Sequence, residues 1–338
     1  VSRIVGFRLD PYALPLKTPW RTAAGTVRLR HGWLVRIEDE DGGVGLGDQP
    51  ALLPDQEQGG LETRLRHQGD ALLGRSLGEA LDWRPDLCFG IEAALFDLEA
   101  QRQAVPLRRL LSSRATDRVK VNAVASLDGV VAMAEQGFDI VKVKVGLAPW
   151  PDEAAALRRL TLAPGVSLRL DANRAWSRTE AEGFLAAIAD LPIESLEEPL
   201  READITGLAS LQSTTPIALA IDESLDQIGV DSLLAAPPVR RLVLKPTLLG
   251  GLRRTLSVAA SARAVGYDIV VTTYIESAIG VAAVANLAAA LDPEARMAHG
   301  LATSALFVSD VADPLPIASG VLTFPAGPGL GLSLKVRT

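Results

Sequence analysis

Apolar runs that close on a charged side chain recur along the second half of the chain, about 25 residues apart, the length of one strand–helix unit. Lys144 lies in VKVKV and Asp171 closes VSLRLD. Glu197 closes IESLE, Asp222 closes IALAID, and Lys245 closes RRLVLK. In a barrel of parallel strands the C-terminal strand ends open onto one rim, where active sites lie. Three carboxylates and two ammonium groups would then face one cavity. Such a cavity suits a divalent cation and the movement of a proton.

A barrel takes about 250 residues. The chain has 338, which leaves a smaller partner domain, and an apolar fraction of 48% supplies a large core. The formal net charge of −7 argues against nucleic acid or an anionic membrane as partner. An anionic small molecule must therefore be caught by a local cluster of Lys and Arg. The single cysteine, Cys88, flanked by Leu87 and Phe89, reads as a buried residue in a reducing compartment. Arg3 and Asp10 interrupt the opening segment, and Asn286 sits inside the Ala-rich run 275–291. Neither a leader nor a membrane span is expected, and the location expected is cytoplasmic. An oligomer is compatible with the sequence.

The first hundred residues predict a small antiparallel meander from Phe7–Leu9, Val27–Leu29, Trp33–Ile37 and Val44–Leu46, with a turn at Asp39–Gly43. Helices follow over Leu61–Leu73 and Ile91–Ala100, where Ile91, Ala94, Leu95 and Leu98 share one stripe. From Val119 the pattern alternates strand and helix, with helices over Glu153–Leu160, Arg178–Ile188, Ile228–Ala236, Leu252–Val265 and Ala278–Leu291. About eight such units close into a barrel, and a doubly wound open sheet is the competing architecture. The tail Gly320–Leu334 predicts an irregular strand segment returning to the N-terminal domain. Gly43, Gly45 and Gly47 follow a hairpin turn with no helix after them, so they are not a phosphate loop.

Lys142 and Lys144 are two apart in a strand and share a face, with Val141, Val143 and Val145 opposite. Two cations about 7 Å apart at an effective dielectric of ~20 repel by about 2–2.5 kcal/mol. That repulsion would pull one lysine down toward a value useful to a general base. Arg169, Asp171 and Asn173 share the next inward face. Glu197 is followed by Glu198 and Asp222 by Glu223, so only one of each pair can point inward from a regular strand. Three carboxylates from neighbouring strands offer the oxygen ligands that Mg²⁺ prefers, and no His or Cys stands with them to favour Zn²⁺. Lys245, before Pro246 and the Gly250-Gly251 pair, faces the site from a later strand. His299, at the eighth strand end, is a weaker candidate for the pocket lining. No Ser-His-Asp set is visible.

The strings VKVKVG, DANRAW, LEEPL, IDES and LKPTLLGG, in this order and spacing, resemble the enolase superfamily in its muconate-lactonizing subgroup. The resemblance covers nearly the whole chain, including GIEAALFDLEA before the barrel. Within the subgroup it is greatest to the o-succinylbenzoate synthase family, through RLDANRAW and VVTTYIESAIG. It implies an α/β protein with a modified TIM barrel, (β/α)7β, at 99–305. An α+β capping domain would be formed by residues 1–98, with 306–338 returning to it. It also implies Mg²⁺, with Mn²⁺ as a substitute, held by Asp171, Glu197 and Asp222. Glu198, Glu223, Arg169 and Asn173 would support these ligands. Lys144 would be the proton-transferring base, Lys142 its partner, and Lys245 a cation on the opposite face. A Lys or His base with Mg²⁺ is the pattern generally ascribed to such sites. The implied reaction is the syn-dehydration of 2-succinyl-6-hydroxy-2,4-cyclohexadiene-1-carboxylate, a small dicarboxylate, to 2-succinylbenzoate in quinone biosynthesis. Thr272, Thr273, the Gly300 backbone and a cap loop at Arg21–Thr26 are candidates for its second carboxylate. Thr-Thr-Tyr in place of serines, and Asp48 in place of Glu, depart from the family pattern at those contacts.

Two alternatives stay open at this stage. An N-succinylamino acid racemase would use Lys144 and Lys245 on opposite faces of a similar substrate. A non-catalytic barrel would hold a metal or an anion without proton transfer.

Overall fold

Three antiparallel strands, β1 (Ile4–Thr22), β2 (Gly25–Asp39) and β3 (Val44–Pro50), open the chain. The computed structural model describes residues 2–22, 25–51, 58–83 and 86–335. The two short strands expected at Val27–Leu29 and Trp33–Ile37 are one, because β1 pairs along both stretches, with Leu14 opposite Arg30 and Tyr12 opposite Gly32. Helices α1 (Gln58–Asp70), α2 (Leu77–Trp83) and α3 (Phe89–Arg102) complete the cap. Ile91, Ala94, Leu95 and Leu98 of α3 are buried against Val35 and Ile37 of β2 in one cluster. The alternating glycines of β3 serve this packing. A Cβ on Gly45 would lie 2.0 Å from the Ala94 carbonyl oxygen, and one on Gly47 1.9 Å from that of Gly90.

After α4 (Leu107–Leu111) and β4 (Arg118–Lys120), a parallel sheet runs through β5 (Ala123–Ala125), β6 (Ile140–Lys144), β7 (Ser167–Asp171), β8 (Ile193–Glu197), β9 (Ala218–Ile221), β10 (Arg241–Leu244) and β11 (Asp268–Val271). Neighbours follow chain order, without the reversal a doubly wound sheet requires. His299 bridges Val121, just before β5, and Gly300 bridges Thr272, just after β11, so this short segment takes the eighth position and closes the barrel.

The outer layer is α5 (Val130–Glu135), α6 (Trp150–Arg158), α7 (Arg178–Ala187), α8 (Ile205–Ser213), α9 (Ser224–Ile228), α10 (Val230–Ala235), α11 (Pro246–Leu249), α12 (Leu252–Ala264) and α13 (Ala278–Leu291). Local signals set several boundaries. Ser177 and Glu180 form a reciprocal capping box on α7, and Asp204 caps α8. Every residue of α13 is buried, which explains a helix apolar on all sides. No described helix is long and apolar enough to cross a membrane.

The tail departs from expectation. Instead of joining the cap sheet, β13 (Val321–Thr323) pairs antiparallel with β4 and covers its edge, and β12 (Ile317–Ala318) pairs antiparallel with β13. The tail does meet the cap on either side of these strands: Phe307 bridges Leu16 of β1, Val308 N–H donates to the Pro15 carbonyl at 2.9 Å, and Leu330 N–H donates to Asp97 Oδ1 at 2.7 Å.

Candidate active site at the barrel rim

Alternation aims the first side chains. Val141, Val143 and Val145 are buried in the core cluster, so Lys142 and Lys144 point into the barrel. Register extends the plan, pairing Lys144 with Asp171 and Asp171 with Glu197. Asp222 follows the last residue of β9, and Lys245 the last of β10. The sheet order thus places the acidic strands β7, β8 and β9 between the lysine-bearing β6 and β10.

Lys142 is no half of a repelling pair. Its Nζ lies 2.9 Å from Asp171 Oδ2 and 2.9 Å from each Glu197 carboxylate oxygen. Burial alone would depress its pKa, but the charges of Glu197, Asp171 and Asp222 outweigh burial and raise it far above the usual lysine range. A lysine lowered by its twin, as expected from the spacing, is therefore not Lys142. Lys144 donates to Asn173 Oδ1 at 2.6 Å, and Asn173 Nδ2 donates to Glu223 Oε1 at 2.8 Å. Asn173 has φ of +42°, a conformation that asparagine tolerates better than most residues. Lys245 pairs with Asp222 Oδ2. Burial opposes its charge, yet Asp222 and Glu223 hold its pKa up at about 12.

Carboxylate oxygens of Glu197, Asp222 and Glu223 lie within 4.8 Å of one another. This all-oxygen, anionic set fits a hard cation such as Mg²⁺ or Mn²⁺. Glu223, expected as a neighbour of the ligands, stands in this group with Glu197 and Asp222, and Asp171 is paired with the same Lys142 ammonium as Glu197. Since β9 ends at Ile221, Asp222 and Glu223 stand on the turn into α9, where strand alternation no longer forces adjacent side chains apart. Glu198 does turn away from Glu197. It accepts hydrogen bonds from the backbone N–H groups of Asp222 (2.7 Å) and Ser224 (2.8 Å) and from the Ser224 hydroxyl (2.5 Å), which fixes that turn. Burial pushes its carboxyl up to about 7 against those hydrogen bonds.

Below this layer lies a group the sequence did not reveal. Arg169 donates to Glu194 (2.9 Å) and to the Ala298 carbonyl (3.0 Å), and Arg241 pairs with Glu194 at 2.8 Å. Glu194 reaches them through an irregularity of β8. Leu168 pairs with Ile193 and Arg169 with Ser195, so Glu194 is skipped and re-aimed. His299 belongs to this floor and not to the pocket lining: it is buried, and its Nδ1 accepts from Val271 N–H at 3.0 Å.

At the same rim, just past the end of β11, the Thr272 and Thr273 hydroxyls each donate to the Gly300 carbonyl at 3.2 Å, and Thr273 meets the Thr303 hydroxyl at 2.8 Å. Thr303 was not anticipated; nor was Glu276, buried and accepting from the Thr247 hydroxyl and Tyr274 N–H, each at 2.5 Å. Of the cap loop Arg21–Thr26, residues 23 and 24 lie outside the described residues. Cys88 is buried, and burial raises its thiol pKa.

Comparison with known proteins places this geometry. A family model described as enolase C-terminal domain-like matches residues 126–338. The L-Ala-D/L-Glu epimerase structure from Bacillus subtilis superposes with a TM-score of 0.88 at 26% identity, over 98% of each chain. An o-succinylbenzoate synthase from Desulfotalea psychrophila is 29% identical over 91% of this chain and 96% of its own. A dipeptide epimerase from Enterococcus faecalis, solved with Mg and L-Leu-L-Tyr, shares the fold with a TM-score of 0.87 at 24% identity, over 98% of this chain and 99% of its own. The chain belongs to the enolase superfamily, whose members are enzymes that use Mg²⁺.

Proposed function

We propose that the protein is an o-succinylbenzoate synthase, dehydrating 2-succinyl-6-hydroxy-2,4-cyclohexadiene-1-carboxylate to 2-succinylbenzoate. The observation that carries this reading is the ion pair of Lys245 with Asp222, which holds Lys245 cationic, while Lys144 is aimed by Asn173 Oδ1. One base and one fixed cation suit an elimination, while a racemase needs an exchanging base on each face.

Glu197, Asp222 and Glu223, with Asp171 beside them, would hold Mg²⁺. When bound, the cation draws negative charge from the substrate carboxylate and so acidifies the α-carbon. Lys144 takes the α-proton. The C–H electron pair becomes a ring double bond as the C–O bond breaks, and Lys144 returns the proton to the departing hydroxyl on the same face, releasing water. Asn173 aims Lys144. Lys245 stays protonated over the other face, a cation near a developing π system. The Thr272, Thr273 and Thr303 hydroxyls, which bond the Gly300 carbonyl and one another here, would turn to donate to the succinyl carboxylate. The segment 299–304 carries no carboxylate to receive an ammonium group, which disfavours a dipeptide substrate.

The decisive assay follows loss of the cyclohexadiene chromophore by purified protein, with Mg²⁺ and with EDTA. Mg²⁺-dependent dehydration is expected. Deuterium exchange and inversion of N-succinylamino acids at a rate rivalling dehydration would instead establish the racemase reading.

A further inference from the structure

A cavity of about 560 Å³ opens beside Lys144, between the loops that follow β5 and β6 and beneath Pro19 of the cap. Its size falls within the range of small-molecule sites. Its chemistry is unlike that of the rim acids, for Val124, Leu127, Val143, Val145, Leu147 and Leu157 are among its lining. Val124 is in register with Lys142 and so faces the barrel mouth, yet it is 45% exposed. Leu147 is 79% exposed, although its loop is tightly ordered. The Glu153 carboxylate accepts the N–H groups of Gly146 (2.7 Å), Leu147 (2.9 Å) and Ala148 (3.2 Å). The backbone thus fixes a leucine against the opening of the cavity instead of folding it inward.

We infer that this cavity is a subsite for the uncharged hydrocarbon part of a carboxylate substrate, reached from the Lys144 side of the rim. Lys144 lines both the cavity and the candidate catalytic cluster, so one ligand can span the two. Asp152 and Glu153 also border the cavity, and these two acids repel an anionic tail. A second carboxylate is therefore directed away, toward the hydroxyls at the end of β11. The inference rests on the proposed dehydration only for the identity of the hydrocarbon, a cyclohexadiene ring; the subsite itself would serve any carboxylate with a compact apolar group.

The test is titration calorimetry in Mg²⁺ with acetate, succinate and cyclohexanecarboxylate, on the wild type, Val124→Asp and Leu147→Ser. Leu147→Ser alters an exposed side chain, so it keeps the test valid should Val124→Asp fail to fold. The wild type is expected to bind cyclohexanecarboxylate about ten-fold or more tighter than acetate, because apolar area is buried. That gap should shrink to about three-fold or less in Val124→Asp and narrow in Leu147→Ser, with acetate and succinate within about two-fold throughout. A gap absent from the wild type, or unchanged in both variants, overturns the subsite. Collapse of the gap in a protein that fails to dehydrate the cyclohexadiene would uphold the subsite and reject the proposed reaction. Dehydration with an unchanged KM in both variants would do the reverse.

Discussion

Lys144 Nζ lies 2.6 Å from Asn173 Oδ1, and the same amide donates its other end to Glu223 at 2.8 Å. Asn173 therefore ties the proposed base to the acidic group across the strand ends. Lys144→Ala is expected to lower kcat by about 10³-fold or more, the scale of a lost acid–base group. Asn173→Ala should lower kcat by roughly 10–100-fold with KM within about three-fold, because it removes aim and not binding. Steady-state kinetics on both variants checks this. A purely raised KM in Asn173→Ala would place the residue in substrate binding instead.

The oxygens of Glu197, Asp222 and Glu223 are close enough to share one ion. Calorimetric titration with Mn²⁺ should show about ten-fold or greater loss of affinity for Glu197→Gln and for Asp222→Asn. EDTA should remove turnover, and Mg²⁺ should restore it. Asp171→Asn is a sharper case, because Asp171 is seated on Lys142. If Asp171 turns to the ion when the ion is present, this variant should match the other two. Unimpaired Mn²⁺ binding by Asp171→Asn would limit its role to holding Lys142.

Most of this geometry was legible because strands obey a two-residue period. Val141, Val143 and Val145 announced where Lys142 and Lys144 point, and the recurrent spacing placed Asp171, Glu197, Asp222 and Lys245 on one rim. The rule failed where regular strand ended. Asp222 and Glu223 sit on a turn, and Glu194 sits at an irregularity, so neither obeys alternation. The fate of Lys142 was illegible for another reason. Its pairing with Asp171 and Glu197 depends on cross-strand register, and no spacing within a single run encodes register.

Glu194 is the only carboxylate among the described residues that contacts both Arg169 and Arg241, and both guanidinium groups are buried. Glu194→Ala leaves two buried cations without their shared counter-charge, a change that costs about 3–5 kcal/mol in comparable settings. Denaturant unfolding should show a loss of that order, while Glu194→Gln, which keeps one acceptor oxygen, should lose less. A midpoint unchanged in Glu194→Ala would mean that the floor relaxes by admitting water.

Glu92 of the cap helix α3 accepts the Leu252 N–H and caps barrel helix α12, where burial raises its carboxyl from the ordinary 4.5 to about 7 against the bonds from Leu252 and Arg253. A raised carboxyl binds its proton more tightly in the folded state. Its stabilisation is therefore complete below about pH 4.5 and lost as pH rises toward 7. For a shift of that size the swing is about 3 kcal/mol, an upper bound for one group. Asp48, buried beside Tyr12 and donated to by Ser277 N–H, is raised to about 7 and acts in the same sense at the other cap–barrel seam. The unfolding free energy is thus expected to fall between about pH 4.5 and 7, and Glu92→Gln should flatten part of that slope. Urea titrations at half-unit pH intervals decide the matter. Parallel curves for the wild type and Glu92→Gln would show that Glu92 keeps its charge in the fold, with the amide hydrogen bonds of α12 outweighing burial.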